Sequence, residues 1–275
     1  MALSDEQLER YARHIILREV GGVGQARLRD ARVLVVGAGG LGSPALLYLS
    51  AAGVGTIGVV DDDEVSLSNL QRQIAHRTVD IGRLKVESAS DTARAINPDT
   101  HVNRHATRLN SHNAMELVKN YEIVLDGSDN FATRFLVNDA CYLAGRTLVS
   151  SAIGQFDGQL ATFKAHERPH GKRTYPCYRC LYPEAPPTGT VPSCTEAGIL
   201  GALAGVMGTL QALEALKELL GIGDTMAGRL TLYDGLGATF RTVKVKPDPA
   251  CALCGPDASL RDLSHHSATE AACTP

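Results

Sequence analysis

The first apolar stripe along the chain is helical. Ser4-Asp-Glu-Gln7 forms a capping-box pattern, in which two side chains satisfy each other's free backbone amides. Leu8, Tyr11, Ile15 and Ile16 then share one face of a predicted helix, with Arg10, Arg13 and Arg18 on its basic side. Gly21-Gly22-Val-Gly24 is expected to end that helix. The pattern next shortens. Arg32-Val-Leu-Val-Val-Gly37 is apolar and β-branched, as strands buried on both faces are. Further strands are predicted at 56–60, 101–105, 121–126 and 147–151, and helices at 44–52, 80–96, 111–120 and 130–144. This alternation implies an α/β fold with a Rossmann-like, mainly parallel sheet covered by helices on both faces. After residue 151 the pattern changes. A strand of another kind is read at 159–164, a Pro-, Gly- and Tyr-rich loop at 165–193, a helix at 196–220, and a C-terminal antiparallel hairpin at 229–234 and 239–246. The polar tail 256–275 has no periodicity and is expected to be disordered. No repeat or linker interrupts 1–255, which reads as a single domain.

Composition narrows the classes. The 275 residues include 44% hydrophobic and 21% charged positions, ordinary for a globular chain. Lys and Arg number 27 against 30 Asp and Glu, a net charge of −3. That balance lacks the basic footprint of a general nucleic-acid binder. No apolar run approaches a membrane span, and the first residues do not resemble a signal peptide, so a cytoplasmic protein is expected. Its seven cysteines should then be thiols or metal ligands rather than disulfides.

Gly37-Ala-Gly39-Gly40-Leu-Gly42 follows a predicted strand and opens a predicted helix, the setting in which G-x-G-x-x-G lets backbone approach a phosphate. Asp61 lies 19 residues beyond Gly42 at a strand end, where a carboxylate can hold ribose hydroxyls. A purely structural glycine turn is the alternative. The pattern does not choose among NAD, FAD and ATP, and no P-loop sequence is present. Arg72 and Lys85 follow the second strand. They are either solvated surface charges or cations placed for a triphosphate.

These motifs together resemble a family. Gly37 to Gly42, Asp61, Ser66-Leu-Ser-Asn69-Leu-Gln-Arg72-Gln73, Gly82 to Lys85 and Asp126-Gly-Ser-Asp129-Asn130 are similar to the MoeB/ThiF/HesA adenylyltransferases of the ubiquitin-activating-like superfamily. The likeness runs from about Leu8 to Gly255, and its nearest branch is the molybdopterin-synthase and thiamine-biosynthesis sulphur-carrier adenylyltransferases. The resemblance implies ATP and Mg²⁺ as reactants, with adenylation of the C-terminal Gly-Gly carboxylate of a ubiquitin-like sulphur carrier. It implies nucleotide binding by Gly37, Gly39, Gly40, Gly42, Asp61, Asp63, Asn69, Arg72, Gln73, Lys85 and Asp129. Asp61 would hold the ribose, Arg72 and Lys85 would neutralise phosphate charge, and Asp129 would bind Mg²⁺. Arg13 matches an arginine that relatives extend into the other subunit's site, which implies a homodimer. Its plain alternative is an exposed helix arginine. The nucleotide-binding part would be about 1–151 and the zinc-bearing, carrier-binding part about 152–255.

Cys177-Tyr-Arg-Cys180 and Cys251-Ala-Leu-Cys254 are two C-x-x-C pairs separated by 70 residues, and four such thiolates suit structural, tetrahedral Zn²⁺. Cys194 precedes a predicted helix, where a thiol is activated. It matches a position at which some relatives carry a covalent intermediate, though in the molybdopterin-type branch that cysteine is dispensable. Cys141 reads as core, Cys273 as incidental, and His265-His266 as solvated loop residues. Sulphur is expected from a separate sulphurtransferase or cysteine desulphurase, because relatives with an appended sulphurtransferase domain are longer. Two other enzymatic readings fit parts of the pattern: an NAD-dependent dehydrogenase, for which the second half offers no hydride-transfer site, and an adenylating enzyme acting on a modified tRNA nucleoside. A non-catalytic, nucleotide-binding scaffold is the third alternative.

Overall fold

The computed structural model describes residues 3–187 and 198–266. Its first helix, α1 (Asp5–Arg10), carries the expected reciprocal cap between Ser4 and Gln7. The chain kinks at Tyr11 into α2 (Ala12–Ile15). Gly21 to Gly24 open α3 (Gly21–Asp30) rather than ending a helix. Gly21 has φ +58°, so the glycine supplies a left-handed bend that lets the chain re-enter a helix. Leu28 of α3 is fully buried and compensates the poor helix propensity of the three glycines.

The centre is β1 (Arg32–Val36), β2 (Thr56–Val60), β3 (His101–His105), β4 (Ile123–Asp126) and β5 (Thr147–Ile153). They are joined by α4 (Gly42–Ala51), α5 (Lys85–Ile96), α6 (Ala114–Lys119) and α7 (Phe131–Ala144). These five strands are parallel. The sheet then continues antiparallel through β6 (Asp157–Phe163), β7 (Arg229–Asp234) and β8 (Thr239–Lys244). One eight-stranded sheet results, in the order β3-β2-β1-β4-β5-β6-β7-β8.

Alternation along β1 explains the two-sided core. Val33 and Val35 face one layer with Leu46, Leu49, Val86 and Met207, while Leu34 and Val36 face the other with Phe135, Leu136 and Val137. Each such fully buried aliphatic side chain stabilises the fold by about 2 kcal/mol. The first layer is completed by α9 (Gly201–Leu220), which packs along α4 and against β5. The stretch 165–193, expected as a plain loop, contains the short helix α8 (Tyr178–Leu181), whose Tyr178 is buried in the second layer.

The tail differs from its expectation as far as it is described. Leu263 and His266 are buried, and Asp139 Oδ2 accepts from Nε2 of both His265 and His266 at 2.9 Å. The two histidines are therefore not solvated loop residues. They share the carboxylate with Arg179, whose guanidinium donates to it at 2.7–3.1 Å. Polar composition hid this segment, because its anchors are one leucine and two imidazoles rather than a periodic stripe. Among the described residues, no helix is long and apolar enough to cross a membrane.

Candidate nucleotide-binding site and cysteine cluster

The strand order reverses between β1 and β4, because the chain runs β1-β2-β3 on one side and then crosses to β4 on the other. A crevice opens at the strand C-termini of such a switch point. Here it is a cleft of about 420 Å³ lined by Gly37, Gly39, Gly40, Asp61, Asp63, Arg72, Gln73, Lys85, Ser128, Asp129 and Arg134, among others.

The glycine turn is built for close approach. Gly37 has φ +91°. A Cβ on Gly42 would lie 1.8 Å from the Gly37 carbonyl oxygen, so no side chain fits there. Among the described residues, the amides of Gly39 and Gly40 have no hydrogen-bond partner, and both glycines border the cleft. Asp61 stands beside them, its Oδ2 accepting from Ala38 N at 2.8 Å and its Oδ1 from Asp63 N at 2.9 Å. Burial pushes the Asp61 carboxyl up, opposed by the positive charge of Lys85.

Lys85 is the first residue of α5 and is only 5% exposed. A buried ammonium needs a partner, and Lys85 Nζ donates to Asp63 Oδ2 at 2.6 Å. It is therefore not a solvated surface charge. Arg72 is held by donation of Nη1 to the Ser68 carbonyl at 2.9 Å. Gln73 is 4% exposed, and its buried Oε1 has no hydrogen-bond partner among the described residues.

The opposite wall comes from the β4–α7 turn. Asp126 is buried and accepts from Ser128 N and Oγ and from Ser150 Oγ. Arg134 donates to the carbonyls of Ser128 at 2.6 Å and Ser151 at 2.8 Å, which fixes the turn that carries Asp129. Asp129 itself is exposed at the cleft, and its Oδ1 accepts from Asn130 Nδ2 at 3.4 Å. Its carboxylate oxygens suit a hard cation that keeps several waters.

Cys177, Cys180, Cys251 and Cys254 converge, with all four sulfurs within 4.8 Å of one another. The closest separations are 3.9 Å for Cys177–Cys180, 3.5 Å for Cys177–Cys251 and 3.4 Å for Cys180–Cys254. A tetrahedral ZnS₄ centre with bonds of about 2.3 Å has edges of about 3.8 Å, so the cluster fits one zinc ion. Hydrogen bonds from Cys177 and Cys180 hold Cys251 and Cys254 below the ordinary thiol range. Arg173 Nη2, 3.0 Å from Cys254 Sγ, adds positive charge beside these sulfurs.

Residues 11–253 match the ThiF family. The chain belongs to the ThiF family. It is 52% identical over 268 residues to a sulfur carrier protein adenylyltransferase of Thermus thermophilus, covering 98% of each chain. It is 48% identical to the SAMP-activating enzyme E1 of Haloferax volcanii, covering 96% of each. The probable adenylyltransferase/sulfurtransferase MoeZ of Mycobacterium tuberculosis is 51% identical over 249 residues, but this ThiF-family chain spans only 63% of its length. Among solved structures, E. coli MccB with MccA-N7isoASN superposes at a TM-score of 0.78 with 19% identity, covering 91% of this chain and 76% of that one. That likeness shows the fold.

Most residues singled out in the sequence share the ThiF-family cleft. Three do not. Asn69 is not among the lining residues, and its Oδ1 instead accepts from Ser66 N, capping a short 3₁₀ turn. Arg13 is exposed on α2 and does not line the cleft of its own chain. Cys194, like Cys273, lies outside the described residues. Cys141 is core, as expected, and burial pushes its thiol well up. Arg134 and His76 were not signalled. Their roles rest on contacts to backbone carbonyls or to residues that only the fold brings near.

Proposed function

We propose that this chain is an ATP-dependent adenylyltransferase that activates the C-terminal Gly-Gly carboxylate of a ubiquitin-like sulphur-carrier protein. The observation that carries this reading is the cleft itself: two glycine amides without a partner among the described residues and Asp61 on one wall, with the cations Arg72 and Lys85 on another. A carboxylate attacking the α-phosphorus of ATP brings one anion to another, so positive charge and positioning matter more than an acid or base. Asp61 holds the ribose. Arg72 and Lys85 neutralise phosphate charge, and Gln73 Oε1 gains a partner when nucleotide or its water arrives. Pyrophosphate leaves and the carrier acyl-adenylate remains. The names of the relatives support the same class of substrate.

Asp129 is the residue suited to hold Mg²⁺, which when bound screens the triphosphate. Zinc in the Cys177, Cys180, Cys251 and Cys254 cluster is structural, since all four positions are protein sulfurs and none is open to substrate. Arg13 acts in the site of a second copy, so the working form is a homodimer in the cytoplasm. Sulphur comes from a separate sulphurtransferase or desulphurase. Residues 1–151 hold the nucleotide and 152–255 receive the carrier.

ATP–pyrophosphate exchange with candidate carriers tests the reading. Exchange that needs Mg²⁺ and an intact terminal Gly-Gly is expected, and the carrier that works identifies the pathway. Exchange with a carrier lacking Gly-Gly, or binding of NAD in place of ATP, overturns it.

A further inference from the structure

His76 packs against the glycine turn at Ala38, a residue that does not line the cleft. It is buried, and it is not a residue that lines the cleft. Its Nε2 lies 2.9 Å from the Ala38 carbonyl oxygen, and its Nδ1 lies 3.0 Å from Ser88 Oγ on α5. A carbonyl oxygen only accepts, so Nε2 carries the proton and donates. Burial pushes the imidazole below its ordinary value, which keeps the ring neutral and leaves Nδ1 to accept from Ser88. The charged groups facing the ring are Lys85, Asp61 and Asp80.

The geometry of one peptide unit gives this bond a consequence. The peptide plane between Ala38 and Gly39 is trans, so its C=O and N–H point in opposite directions. A donor that holds the Ala38 oxygen from behind therefore aims the Gly39 N–H forward. Gly39 borders the cleft, and its amide has no partner among the described residues. The preceding unit is fixed as well, because Ala38 N–H donates to Asp61 Oδ2 at 2.8 Å. The remaining contact of the Ala38 oxygen is a long one, 3.4 Å from Ser43 Oγ. Glycine flanks Ala38 on both sides, so side-chain sterics do little to hold this unit.

We propose that His76 is a positioning residue for the nucleotide phosphates, setting the direction of the Gly39 amide through the Ala38 carbonyl. The assignment rests on the nucleotide-binding reading of the cleft. It separates two parts of one ligand: the phosphates depend on the aimed amide, whereas the nucleoside is held by Asp61 and does not.

Calorimetric binding of Mg-ATP and of adenosine to the zinc-loaded full chain tests it, with melting curves to confirm folding. In His76→Ala the dissociation constant for Mg-ATP should rise about tenfold while that for adenosine changes less than about twofold, the size of one lost positioning hydrogen bond. His76→Gln, whose amide can donate to the same carbonyl, should recover Mg-ATP binding to within about threefold of wild type. Unchanged Mg-ATP affinity in a folded His76→Ala chain overturns the assignment. So does an equal loss of both ligands, which marks general loosening, or a folded His76→Gln chain with no recovery. If His76→Ala does not fold, Ser88→Ala takes its place, since it removes the hydroxyl that orients the ring. It should then weaken Mg-ATP more than adenosine, and equal effects overturn the proposal. Wild-type protein that binds neither ligand defeats the nucleotide reading itself, an outcome distinct from each of these.

Discussion

Lys85 and Gly42 act on the cleft in different ways, and substitution should separate them. Lys85→Met removes a buried cation but keeps the apolar stem. Pyrophosphate exchange should fall about 100-fold, the scale of one preorganised charge, while the melting temperature moves little. Gly42→Ala should do the reverse of a clean active-site change. Its Cβ would lie 1.8 Å from the Gly37 oxygen, a backbone atom that cannot swing aside as a flexible side chain could. A loss of about 3 kcal/mol in chemical denaturation is expected, the upper range for overpacking. Both residues were legible in the sequence, because the glycine turn and the residues after the second strand are local patterns. Arg134 was not legible. It works on two backbone carbonyls, one of them on β5, and nothing in its neighbours announces that contact.

Among the elements, strands were easier to read than helix ends. β1, β2 and β4 carry continuous apolar runs, which parallel burial requires. α3 begins with Gly-Gly-Val-Gly, a composition that favours a stop, and only the tertiary packing of Leu28 reverses it. The cysteine cluster ties two distant elements together. Cys177 and Cys251 are 74 residues apart, and the loop between them holds α9, β7 and β8. By the chain-entropy reasoning used for cross-links, closing such a loop is worth about 4 kcal/mol. Zinc chelation, or Cys177→Ser, should therefore lower the melting temperature and raise hydrogen exchange in β7 and β8 before β1. The docked tail should respond to acid. Burial raises the Asp139 carboxyl, but hydrogen bonds from His266 and Arg179 outweigh it and leave the group below its ordinary value. A depressed carboxylate contributes stability that is complete above the unfolded value, near 3.9, and is lost as pH falls through the folded one. Residues 256–266 should accordingly gain protease sensitivity below about pH 4, and Asp139→Asn should show that sensitivity already at neutral pH.

For the whole molecule, the location of Arg13 away from its own cleft makes a sharp test. Arg13→Ala and Lys85→Met should each be inactive alone. Mixed and reassembled as random dimers, they should regain about a quarter of wild-type exchange, since one of the two sites in each mixed dimer is intact. No recovery would overturn the role of Arg13 in the site of the second copy. The packing of α9 reaches further than stability. A Cβ on Gly40 would lie 3.1 Å from the Ala204 Cβ, and one on Gly208 would lie 2.3 Å from the Leu41 carbonyl oxygen. The helix that backs the glycine turn thus belongs to the last third of the chain. During synthesis the turn leaves the ribosome long before that helix does. The growing chain therefore cannot pack the back of its glycine turn until most of the protein has been made.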